Sequence, residues 1–90
     1  MPRIRFTKHL KRYFPSLEEI TIAAGTLAEV VAELDRIHPG MASYLIEENG
    51  SLRKHVNIFI GEDLLRDRVA LGDRIDEADE IFIMQALSGG

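Results

Sequence analysis

The stretch Thr26-Leu27-Ala28-Glu29-Val30-Val31-Ala32-Glu33-Leu34-Asp35-Arg36-Ile37-His38-Pro39-Gly40 holds the clearest periodicity in the chain. Leu27, Val30, Val31 and Leu34 recur at helical spacing, and Ile37 extends the stripe by one turn. Thr26 and Glu29 have the spacing of a capping box. In that motif the threonine hydroxyl accepts the Glu29 amide, and the glutamate reaches back to the Thr26 amide. Pro39 cannot donate a backbone hydrogen bond and disfavours helix just before it, so Pro39-Gly40 is a stop. The spacing predicts a helix over residues 27–37 with one apolar face.

Upstream of the helix the period changes to two. Arg3-Ile4-Arg5-Phe6-Thr7 alternates polar and apolar side chains, a strand with Ile4 and Phe6 inward. Residues 8–17 are polar and aromatic, include Pro15, and read as a connection. Residues 18–23 read as a second strand with Ile20 and Ile22 inward, so the two strands should form a hairpin. Downstream, residues 40–46 suggest a short second helical turn, and Asn49-Gly50 marks a loop over 47–51. His55-Val56-Asn57-Ile58-Phe59-Ile60 has high strand propensity. Residues 61–63 turn the chain, residues 64–66 can pair briefly, and residues 80–87 form the last strand.

The order is therefore strand, strand, helix, strand, short strand, strand. No element besides the 27–37 helix is long enough to cover a sheet. The expected fold class is α+β, a mixed sheet of four to five strands packed on one main helix, with the first and last strands side by side in its centre. Only one face of that sheet meets the helix. Val56, Ile58, Ile60, Ile81 and Ile83 are assigned to that core face. Phe59, Phe82 and Met84, joined by Leu64, then lie on the outer face, where an exposed apolar patch marks a partner site.

Composition narrows the class further. Ninety residues make one domain, and 46% apolar residues suffice for one modest core. With no cysteine there is no disulfide, zinc-thiolate site or cysteine nucleophile. No apolar run is long enough for a membrane span, and the N-terminus has no signal-peptide core. A cytoplasmic setting is expected, because small secreted domains lean on disulfides.

The formal charge is −4, but residues 1–12 hold five basic groups and no acidic one. So short a stripe on an acidic chain reads as complementing acidic loops rather than binding nucleic acid. Asp73, Asp76, Glu77, Asp79 and Glu80 read as a solvated turn that could also steer docking onto basic partners; they lack calcium-loop spacing. His9, His38 and His55 share no metal-ligand spacing. No catalytic triad or phosphate-cradling loop is present, so no independent active site, bound cofactor or metal is expected.

The expected last strand ends at Leu87 and the sequence goes on as Ser88-Gly89-Gly90. A ββαββ order ending in Gly-Gly resembles the MoaD/ThiS group of sulfur carriers, which have the ubiquitin-like β-grasp fold. The local matches are Gly72-Asp73-Arg74-Ile75, Asp79-Glu80-Ile81, residues 56–66 as the penultimate hairpin, and the Gly-Gly end. The segment 56–60 particularly resembles carriers that feed cysteine biosynthesis. Gln85 and Ser88 stand where family tails often carry proline or alanine.

The resemblance implies a domain over residues 1–87 and a flexible tail over 88–90 ending in the free Gly90 carboxylate. An E1-like enzyme would use ATP to adenylate Gly90, and sulfur transfer would leave a thiocarboxylate for a sulfur-accepting synthase. Glycine at 89 and 90 suits a tail that threads a narrow channel, because it has no Cβ. Leu87 and Ser88 would join Phe59, Leu64, Phe82 and Met84 in partner contacts. The resemblance makes the chain a protein co-substrate rather than an enzyme. It also leaves room for the small subunit of a molybdopterin synthase, or for a modifier that forms isopeptide bonds through Gly90. The sulfur could serve cysteine, molybdopterin, thiamin or a specialised metabolite.

Overall fold

The computed structural model describes residues 1–85. The expected boundary between residues 1–87 and the 88–90 tail lies outside them, as do the last residues of the expected final strand. The chain runs β1 (Arg3–Phe6), a 3-10 helix (Lys8–Arg12), β2 (Ile20–Thr21), α1 (Leu27–Ile37), α2 (Met41–Leu45), β3 (Val56–Ile60), β4 (Asp63–Leu64) and β5 (Glu80–Gln85). The strands form one sheet in the order β2-β1-β5-β3-β4. β1 and β5 are parallel, and the other neighbours are antiparallel, so the sheet is mixed as expected and the terminal strands lie adjacent.

The apolar stripe of α1 does what its spacing implies. Leu27, Val30, Val31 and Leu34 are buried in one cluster with Ile4, Val56, Ile58, Ile81 and Ile83. Fully burying a side chain of this size contributes roughly 1.5–3 kcal/mol. Ile37, one turn beyond, is 36% exposed, so the stripe stops short of it. Among the described residues no helix is long and apolar enough to cross a membrane.

Half of the capping box forms as its spacing predicts. The Glu29 amide donates to Thr26 Oγ1 at 3.3 Å. The Glu29 carboxylate instead accepts the Gly25 amide at 2.7 Å, one residue before the expected Thr26. Thr26 is drawn into an antiparallel bridge with Arg74. The same loop takes two more first-turn amides, from Leu27 to the Asp73 carbonyl at 3.0 Å and from Ala28 to the Leu71 carbonyl at 2.9 Å. Helix amides left without an intrahelical partner are thus satisfied by tertiary contacts that no local motif encodes. At the far end Gly40 takes φ +100°, open to glycine and strained for other residues. Asp35 Oδ1 accepts the Gly40 and Ala42 amides there, which joins α1 to α2.

Three other expectations shift. The connection over 8–17 contains the 3-10 helix, because Leu10 and Leu17 are buried and the chain must fold back to place them. The second strand shortens from residues 18–23 to Ile20–Thr21; β1 offers it only Arg3 and Ile4 as partners. The brief pairing starts one residue earlier than expected. Asp63 and Leu64 pair with Ile60 and Phe59, while Leu65 turns inward and its amide donates to the Ile58 carbonyl at 2.8 Å.

Candidate partner face and the root of the tail

Strand register decides which side chains share the outer face. Phe82 of β5 lies opposite Arg5 of β1 on one side and Phe59 of β3 on the other, and Phe59 lies opposite Leu64 of β4. The result is a row across four strands, Arg5–Phe82–Phe59–Leu64. Met84 stands beside it, opposite Asn57. Directly opposed side chains on one face have Cβ atoms about 4.5–5.5 Å apart, so the row is continuous. Phe59, Phe82 and Met84 are half-buried, and Leu64 is 49% exposed.

The alternate positions go the other way. Val56, Ile58, Ile81 and Ile83 are fully buried, and Ile60 packs against their cluster. The four residues assigned from the pattern to the outer face are therefore brought together on it. Leu87, Ser88, Gly89 and Gly90 lie outside the described residues.

Arg5 is the member of the row that hydrophobic patterning misses. Its guanidinium carbon lies 5.9 Å from the Phe82 ring centroid, and its Nη1 lies 3.9 Å from Glu80 Oε1. A cation over an exposed ring is attracted by roughly 0.5–1 kcal/mol. Arg5, Phe59, Phe82, Gly61, Glu62 and Glu80 line a cavity of about 380 Å³ at the edge of the row. The signal for Arg5 was its period-2 spacing with Ile4 and Phe6, which also puts it on the face away from the core.

The tail leaves from a definable place. Because β1 and β5 are parallel, the 3-10 helix that follows β1 lies at the end of the sheet where β5 reaches Gln85. The Thr7 amide donates to the Ile83 carbonyl at 3.2 Å, and Gln85 pairs with Val56 at the start of β3. Tyr44 of α2 packs there against Tyr13 and Phe14, with ring centroids 4.8 and 5.9 Å apart. Burial raises the Tyr44 phenol above the ordinary tyrosine pKa, and hydrogen bonding to Tyr13 adds to the rise, while the Gln85 side chain opposes it. This aromatic group was also missed, because Tyr13, Phe14 and Tyr44 belong to segments without strong periodicity.

Two of the five acidic side chains in the run are occupied by backbone amides. Asp73 accepts the Arg66 and Asp67 amides at 3.0 and 2.8 Å, and Asp79 accepts the Asp76 amide at 2.7 Å. Asp67 accepts the Ala70, Gly72 and Val69 amides, which hold its carboxyl below the ordinary aspartate range. Among the described residues no group of three or more His, Asp or Glu side chains could hold a metal ion. The arrangement offers a surface to dock on and a strand end to follow.

Comparison with known proteins agrees with this geometry. The model of a family described as the ThiS family matches residues 4–90. The sulfur carrier protein CysO of Mycobacterium tuberculosis is 25% identical over 75 residues, which covers 81% of each chain. The crystal structure of the Amycolatopsis orientalis BexX/CysO complex is similar with a TM-score of 0.85 over 100% of both chains, at 18% identity. SAMP1 from Haloferax volcanii is similar with a TM-score of 0.76 over 99% of this chain and 98% of that one, at 20% identity. These structural likenesses establish the expected β-grasp fold.

Proposed function

This chain belongs to the ThiS family, and from that premise we propose that it is a sulfur carrier that works through the carboxylate of Gly90. The observation that carries the proposal is the pairing of two features on one strand. β5 holds Phe82 and Met84 on a sheet face that no helix covers among the described residues, and the ThiS family match runs through the Gly89-Gly90 pair that follows β5. The first feature offers a place to dock, and the second offers a carboxylate with no side chain beside it.

A carboxylate is a poor electrophile. An ATP-dependent, E1-like partner converts the Gly90 carboxylate to an acyl-adenylate and releases pyrophosphate. The terminal sulfur of a persulfide then attacks the carbonyl carbon and AMP leaves. A thiol cleaves the resulting S–S bond, which yields the thiocarboxylate and a disulfide. The thiocarboxylate sulfur is the nucleophile delivered to a sulfur-accepting synthase, in a cytoplasmic setting. The chain is a co-substrate in each step, and ATP binds to the partner. The likeness to a relative named a sulfur carrier protein supports the carrier reading.

The test is intact-mass measurement after incubation with an activating enzyme, ATP and a persulfide donor. Wild-type chain should gain the mass of one oxygen-to-sulfur exchange at the C-terminus. Gly90→Ala should not, because a methyl group obstructs the approach to the nucleotide. A normal thiocarboxylate yield from Gly90→Ala would show that the bare glycine is not what activation requires. A Gly90-linked lysine adduct in cell extract would instead favour a protein modifier.

A further inference from the structure

The sheet is electrically polarised along β5, and the tail leaves from its positive end. Lys8, Lys11 and Arg12 project from the 3-10 helix on one side of the strand's exit. Lys54 lies on the other side, two residues before Val56, which pairs with Gln85. All four are exposed, and among the described residues none forms an ion pair. Beside Lys54 in the chain, Arg53 holds Glu47 of the loop after α2 at 2.8 Å.

The opposite end of the sheet carries the reverse charge. Glu80 opens β5 beside the turn that holds Asp76, Glu77 and Asp79, and the Gly61 amide donates to the Glu80 carbonyl at 2.7 Å. That bond brings Glu62 and Asp63 to the same end. Arg3, which lies opposite Glu80 in the sheet, Arg5, whose Nη1 lies 3.9 Å from Glu80 Oε1, and Arg66 and Arg74 temper this cluster without reversing it.

Tail length sets where a partner must sit. Residues 86–90 can span at most about 17 Å when fully extended. A protein that takes Gly90 into its site therefore brings the rim of that site close to Lys8, Lys11, Arg12 and Lys54. The chain as a whole has a net charge of −4, so a basic collar confined to this end is set against the overall field. Complementary charge at a rim raises encounter rates and fixes orientation.

We propose that the tail-exit end is a docking collar for an acidic protein surface, one that surrounds the opening into which Gly90 is threaded. The proposal rests on the carrier reading and names the chemistry of the partner's rim. The collar turns the carrier tail-first during approach.

The test is the carrier-concentration dependence of AMP formation by the activating enzyme with ATP and a persulfide donor, at low and high salt. The variant Lys8→Glu/Lys11→Glu/Arg12→Glu/Lys54→Glu should raise KM about tenfold with kcat unchanged, and its KM should no longer rise with salt as the wild type's does. The milder Lys8→Gln/Lys11→Gln/Arg12→Gln/Lys54→Gln variant should raise KM about threefold, and it supplies the readout if the glutamate variant fails to fold. Glu77→Lys, at the far end, should stay within about twofold of wild type. A KM within twofold of wild type in the folded collar variant overturns the collar while leaving the carrier reading intact. The same null result with collar-dependent binding of a single-stranded RNA oligonucleotide overturns it in favour of nucleic acid. Wild-type chain that yields no AMP overturns the carrier reading and the collar with it.

Discussion

Ile83 and Phe82 are neighbours in β5. Ile83 is fully buried, whereas Phe82 keeps contact with solvent although it has the larger apolar surface. The same contrast repeats across the sheet, between Ile58 and Phe59 in β3. A single main helix covers one face, so the apolar residues on the other face are not there to fill the core. An apolar row left open in a small domain costs solubility and fits a surface that a partner covers. On the proposed carrier reading the two faces divide the work: one holds the domain together, and the other is the side offered to a partner.

The contrast can be broken most forcefully from the core side. Ile83→Ala should cost about 2–5 kcal/mol of folding free energy in urea titration, because its site is enclosed by α1 and the neighbouring strands. Phe82→Ala should cost less stability, about 1–2 kcal/mol, and should instead raise the KM for activation about tenfold. Equal stability losses and an unchanged KM would show that both faces serve packing alone.

Two smaller effects sharpen how the scaffold under these faces is held. Thr26→Ala should cost about 1 kcal/mol through loss of the hydroxyl that accepts the Glu29 amide, with KM unchanged. Asp67 tests the turn that leads toward α1. Its carboxyl titrates below the ordinary aspartate value of 3.8 because the Ala70, Gly72 and Val69 amides stabilise the charged form. A lowered folded-state pKa gives stability that is present above 3.8 and lost as pH falls through the folded value. Urea midpoints should fall between neutral pH and about pH 3, and Asp67→Asn should flatten that fall while lowering the neutral-pH midpoint.

Much of this was legible in sequence. Residues 27–37 carried their own period and cap, so the helix boundaries match. The alternation in Val56–Ile60 and Glu80–Gln85 separated the core face from the outer face before any register was known. What did not carry over depended on contacts between distant segments. The Glu29 carboxylate accepts the Gly25 amide rather than the Thr26 amide, at a junction held by bonds from Ile75 N–H to the Gly25 carbonyl and from Leu27 N–H to the Asp73 carbonyl, between segments far apart in the chain. Lys8–Arg12 formed a 3-10 helix around the single buried Leu10, too sparse a signal to show as a period. Arg5 joined the outer row only once β1 was set parallel to β5, and the same pairing brought Lys8, Lys11 and Arg12 to the tail's exit.

The claim beneath all of these is that a partner loads sulfur onto Gly90. It is tested most directly by the intact mass of the chain expressed beside its native activating enzyme. The account predicts a species heavier by one oxygen-to-sulfur exchange, with the change mapped by fragmentation to Gly90 and lost when ATP binding by the enzyme is abolished. A chain that keeps its unmodified carboxylate under those conditions, while the enzyme loads sulfur onto another carrier, would contradict it.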